Sequence, residues 1–186
     1  MKKQAKYDFA IARYTKAISS NRRDYRAYNN RGNAYGKKKQ YVRAIADYNV
    51  AIEINPSFDL AYINRGNAYQ ETGRFDLAMA DYNRAIDLNP SNDMAFNNRG
   101  FNFILMGRYD EAECDIRRAL ELSPHNIFAL NSMCELCASR GQVEEACEWL
   151  RKAIDRGYNN WAYIRTSDTY RNIRHAPCFK RLIAGK

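Results

Sequence analysis

The chain has 186 residues, 46% of them apolar and 13% aromatic, with only 4 prolines. That profile belongs to an ordered globular chain and excludes a disordered one. No run of about 18 apolar residues exists, so the sequence predicts no membrane-spanning helix, and the basic start Met1-Lys2-Lys3 leads into no apolar stretch of signal-peptide type. The formal charge of +9 is unevenly spread: residues 1–43 carry +11, residues 44–139 carry −7 and residues 140–186 carry +5. A basic first third attracts acidic peptide, nucleic acid or an anionic surface, or is simply solvated. Five cysteines, an odd number in a chain this long, fit reduced thiols in a cytoplasm better than a disulfide-built secreted domain.

Residues 1–24 predict one helix, carrying Tyr7, Ala10 and Ala17. Those three begin columns with a spacing of 34: Tyr7, Tyr41, Phe75, Tyr109, Val143; Ala10, Ala44, Ala78, Ala112, Ala146; and Ala17, Ala51, Ala85, Ala119, Ala153. A second motif, Ala27-Tyr28-Asn29-Asn30-Arg31-Gly32-Asn33-Ala34-Tyr35, returns 34 residues on as Ala61 to Tyr69, then as Ala95-Phe96-Asn97-Asn98-Arg99-Gly100. A period of that length marks stacked supersecondary units. Units are expected at 25–58, 59–92, 93–126 and 127–160, each a pair of antiparallel helices. Within 59–92, Tyr62, Gly66 and Tyr69 share one helical face, and Phe75, Ala78, Tyr82 and Ala85 share another. Gly73 and Gly107 suit the left-handed residue that ends a first helix, and Pro56, Pro90 and Pro124 close units. Residues 161–186 predict a cap, with Pro177 opening its last helix.

The aromatic, glycine, alanine and proline columns resemble the signature of the tetratricopeptide repeat family, over roughly residues 4–160. The ending, with Trp161, Asp168, Ile173, Pro177 and Phe179, resembles the cap of many bacterial members. The resemblance implies an all-α, right-handed solenoid forming one domain. It also implies a non-enzymatic scaffold that binds a peptide or protein segment in a concave groove lined by the first helix of each pair.

Two polar columns stand out. Arg31, Arg65 and Arg99 are each followed sixteen residues later by Asp47, Asp81 and Asp115, and both partners change together to Met133 and Trp149 in the fourth unit. Joint loss predicts an arginine–carboxylate bridge between the two helices of a pair. Asn30, Asn64 and Asn98, joined by Asn33 and Asn67, form the other column and resemble the asparagine ladder of the O-GlcNAc transferase family. An amide both donates and accepts, so it can hold the backbone of an extended ligand. At 100° per residue the groove wall takes in Arg26, Asn29, Asn30, Asn33 and Lys37, then Leu60, Ile63, Asn64 and Asn67, then Met94, Asn98, Phe101, Ile104 and Leu105, and finally Phe128. The wall runs from polar and basic to apolar, predicting apolar anchors near units three and four. The basic residues of the chaperone-binding carboxylate clamp are replaced by Asn29, Met94 and Asn98, which argues against an acidic chaperone tail as ligand.

No catalytic or cofactor motif is present, and only two histidines occur. Cys134 and Cys137 make a CxxC in packing columns, where buried thiols are expected, although Cys147 leaves a metal cluster open. Two further functions remain: self-association through the unpaired helix of residues 4–20, and nucleic-acid binding by the basic third. Tyr25, Tyr28, Tyr35 and Tyr41 mostly sit in packing columns, which argues against base stacking.

Overall fold

A computed structural model of the chain describes residues 2–185, with side chains from Gln4 onward. Met1 and Lys186, the outer ends of the expected half unit and cap, lie outside the described residues. Among these residues there are eleven α-helices, one 3-10 turn and no strand, and no helix is long and apolar enough to cross a membrane. The chain divides into two compact units, Met1–Ser91 and Asn92–Lys186.

The first unit holds α1 (Lys2–Ser20), α2 (Tyr25–Lys37), α3 (Tyr41–Ile54), α4 (Asp59–Glu71) and α5 (Phe75–Leu88). α2 pairs with α3 and α4 with α5, while α1 packs on α2 and α3 on α4. The helices approach closely because glycine faces tyrosine. A Cβ on Gly32 would stand 2.6 Å from the Tyr48 ring, and one on Gly66 would stand 2.7 Å from the Tyr82 ring. Each ring's hydroxyl then crosses the pair at 2.8 Å, Tyr48 to the Asn33 carbonyl and Tyr82 to the Asn67 carbonyl.

The expected arginine bridges are present. Arg31 and Arg65 each hold their aspartate through two nitrogens, at 2.8 and 2.7 Å for Asp47 and at 2.8 and 2.6 Å for Asp81. A third nitrogen reaches back to the preceding helix, to Thr15 from Arg31 and to Asn49 from Arg65. Each arginine therefore ties three consecutive helices, with its guanidinium over the aromatic three residues before it.

The turn inside each pair needs one left-handed residue, so that the next N–H can bond back to the helix it leaves. Arg74 N–H donates to the Tyr69 carbonyl and Arg108 N–H to the Phe103 carbonyl, both at 2.9 Å. Gly73 and Gly107 supply the positive φ as expected, but in the first pair the role falls to Lys39, at φ 58°. A side chain there costs about 1–2 kcal/mol, partly offset by the greater chain entropy of unfolded glycine. Lys39→Gly is therefore expected to stabilise the chain by about 0.5–1 kcal/mol. A urea midpoint that stays put or falls would show that Lys39 sits there without strain.

The second unit holds α6 (Asp93–Leu105), α7 (Tyr109–Leu122), α8 (Ile127–Ser139), α9 (Val143–Asp155), α10 (Trp161–Thr166), the 3-10 turn Asp168–Tyr170 and α11 (Pro177–Ile183). α6 pairs with α7 and α8 with α9. Arg99 bridges Asp115 at 2.6 and 2.7 Å, as in the first unit. Asn92 and Asn126 cap α6 and α8 by accepting backbone N–H bonds at the helix start. Cap residues Ile164, Tyr170, Ile173 and Phe179 are buried with Leu130, Cys134, Leu150 and Tyr158 in one cluster. The expectation of five reduced thiols is corrected at one pair, because Cys147 and Cys178 form a disulfide that ties α9 to α11. Cys147 is thus not available to Cys134 and Cys137, which are buried free thiols. No group of three metal-ligating side chains occurs among the described residues.

Candidate functional site

The first helices of the four pairs carry one stripe each, at spacings of 4, 3 and 4 residues, which places its members on a single helical face. On α2 it comprises Arg26, Asn30, Asn33 and Lys37; on α4, Leu60, Asn64, Asn67 and Glu71; on α6, Met94, Asn98, Phe101 and Leu105; and on α8, Phe128, Ser132, Glu135 and Ser139. On α2, α4 and α6 every member is exposed or half-buried. The apolar ones remain open to solvent, Leu60 at 37%, Met94 at 46% and Leu105 at 39%. On α6 the exposed Met94 and Leu105 thus share one helical face with Asn98 and the half-buried Phe101.

Three of the residues expected in this wall are not on it. Asn29, Ile63 and Ile104 are only 3–5% exposed, because each lies one helical step off the stripe, on a flank turned into packing. Asn29 accepts a 2.9 Å bond from the Asn64 amide across α2 and α4. The Asn33 and Asn67 carbonyls are engaged by Tyr48 and Tyr82. These amides thus brace the helix pairs as well as facing the stripe, a double duty that composition alone does not reveal.

On α8 the stripe is covered, and the cover is the chain's own cap. Glu135 is 2% exposed and accepts the Tyr163 hydroxyl at 2.6 Å, the Thr169 hydroxyl at 2.6 Å and the Asn131 amide at 2.8 Å. The Tyr170 hydroxyl donates to the Asn131 carbonyl, and the Asn172 amide donates to the Ala138 carbonyl at 3.1 Å. Burial pushes the Glu135 carboxyl up to about 7, and the three donors only partly oppose that rise. The sequence signal was a lone carboxylate amid Leu130, Met133, Cys134, Leu136 and Cys137. A charge so placed needs donors, and the hydroxyl-rich cap supplies them. Phe128, at the open end of this stripe, is 62% exposed and meets the Tyr158 ring edge-on.

Tyr25, Tyr28, Tyr35 and Tyr41 are engaged, Tyr28 and Tyr35 lying under the guanidinium groups of Arg31 and Arg43. Tyr25 packs edge-on against Phe58, and the Tyr41 hydroxyl donates to Glu71 at 3.0 Å.

The tetratricopeptide repeat profile matches residues 25–58, 60–92 and 95–126. No curated protein matches the sequence. Among solved structures, a thermophilic tetratricopeptide protein of Thermus thermophilus superposes with a TM-score of 0.76 at 21% identity, covering 85% of this chain and 87% of that one. YrrB, described as having an unusual peptide-binding site, gives 0.62 at 22% identity, covering 91% and 88%. The first tetratricopeptide domain of Spaghetti, bound to an HSP90 peptide, gives 0.58 at 31% identity, covering 60% and 89%. Helix pairs and profile agree: the chain belongs to the tetratricopeptide repeat family.

Proposed function

We propose that this chain is a non-enzymatic scaffold that holds a segment of another polypeptide along the stripes of its first helices. The observation that carries the reading is intramolecular: on α8 the stripe residue Glu135 already holds a polypeptide, the cap, by accepting the Tyr163 and Thr169 hydroxyls, with the Tyr170 hydroxyl bonded to Asn131 one helical step off the stripe. The equivalent face of α6 bears the exposed Met94 and Leu105 and the half-buried Phe101 around Asn98, so it suits apolar anchors with an amide between them. That of α2 and α4 is amide-rich and flanked by Arg26 and Lys37, which suits a polar or acidic stretch. Two similar proteins support the mode, one bound to an HSP90 peptide and one with a peptide-binding site.

The α6 stripe is not part of a buried core at its exposed members, so it tolerates change. A Met94→Ala, Phe101→Ala, Leu105→Ala variant is expected to keep its circular dichroism spectrum while retaining less than about a tenth of the partner that wild type captures from source-cell lysate. Equal capture by the two proteins would move the working surface elsewhere.

A further inference from the structure

Among the described residues, no helix covers the face of α1 whose equivalents on α3 and α5 are buried. Offset by 34 residues, Ala10, Tyr14 and Ala17 correspond to Ala44, Tyr48 and Ala51 on α3 and to Ala78, Tyr82 and Ala85 on α5. On α3 and α5 all six are buried, the alanines completely, whereas on α1 all three are half-exposed. The covering helix is known from the other pairs of this unit: a glycine lies against the tyrosine, and arginine forks onto the aspartate beside it. On α1 the aspartate column reads Arg13, an exposed residue. The charge of the whole helix is reversed as well. α1 has Lys2, Lys3, Lys6, Arg13 and Lys16 against Asp8, while α3, α5, α7 and α9 each hold more carboxylates than cations.

We propose that this face docks an acidic α-helix of another polypeptide, one with a glycine or alanine against Tyr14 and an aspartate or glutamate against Arg13. The pair is the bridge found elsewhere in the fold with its two charges exchanged. That exchange sets the partner's chemistry. A second copy offering its own α1 would set Arg13 and Lys16 against their counterparts, a like-charge opposition, and its Arg31, Arg65 and Arg99 are already held by Asp47, Asp81 and Asp115. The inference concerns a surface separate from the stripes and stands independently of the ligand held there.

The probe is a lactam-stapled helix with the 13-residue sequence of α4, in which the position of Arg65 is changed to glutamate, beside the same helix keeping arginine. Stapling is needed because a free peptide this short is mostly unfolded in water. Binding to the full chain is read by fluorescence anisotropy. The glutamate helix is expected to bind wild type at least about tenfold more tightly than the arginine helix, and Arg13→Asp is expected to invert that order. The two-peptide comparison on wild type decides the matter even if the variant folds poorly. Equal affinities, absence of binding, or sedimentation showing self-association that Arg13→Asp leaves unchanged would each overturn the proposal.

Discussion

Asp81→Ala is expected to destabilise the chain by about 3 kcal/mol, far more than an exposed ion pair would. The carboxylate is buried and the Arg65 guanidinium mostly so, with side-chain exposures of 7% and 20%. Burial pushes the Asp81 carboxyl up, while its bonds to Arg65 pull it back and hold the guanidinium charged. Removing the carboxylate leaves an uncompensated cation between α4 and α5 and frees the arm that reaches Asn49. The chain itself supplies the rescue. Its fourth pair replaces the bridge by Met133, 2% exposed, and the half-buried Trp149, with Lys152 over the indole. Arg65→Met with Asp81→Trp is accordingly expected to recover to within about 1 kcal/mol of wild type, since a packed apolar pair often matches an ion pair. Urea unfolding followed by circular dichroism checks both. A loss below about 1 kcal/mol for Asp81→Ala would mean that the bridge only decorates the pair.

The second large effect is on pH. Glu135 has its carboxyl raised by burial to about 7, against an ordinary value of 4.5. The folded chain therefore holds this proton more tightly than the unfolded one. The resulting stability is fully present below about pH 4.5 and fades as pH rises through about 7, by roughly 3 kcal/mol in all. Above neutrality the cap is held over a buried carboxylate whose solvation rests on Tyr163, Thr169 and Asn131. Glu135→Gln keeps the shape and removes the titration. The Asn131 amide can turn to accept from the new amide, and the Tyr170 hydroxyl can then accept in turn. The variant is expected to match wild type near pH 5 and to exceed it at pH 8, with a flatter profile of urea midpoint against pH. Parallel profiles would place the carboxylate's charge in contact with solvent.

The helix pairs were legible in the sequence because their cause is local and repeated. Gly66 faces Tyr82, Gly73 turns the chain, and Arg65 appears with Asp81 and disappears with it. The stripe was legible to within one helical step, which is why Asn29, Ile63 and Ile104 were expected in the wall and lie instead in packing. At 100° per residue the flank of a stripe and its centre differ by a single position, and only the neighbouring helix decides which is covered. The cap's course over α8 and the Cys147–Cys178 bond were not legible, since both join residues about 30 apart with no counterpart in the earlier repeats. A repeated column reports itself by recurrence, whereas a contact made once does not.

Photo-crosslinking from the stripe tests the central claim most directly. A benzophenone amino acid at Leu105, on the exposed α6 stripe, is compared with one at Arg118, on α7 and exposed outside the stripe, both introduced in source cells. The scaffold reading predicts that Leu105 yields cross-links to one segment of another polypeptide, identified by mass spectrometry, and that Arg118 yields none above background. Cross-links from Arg118 with none from Leu105 would contradict it and move recognition to the second helices.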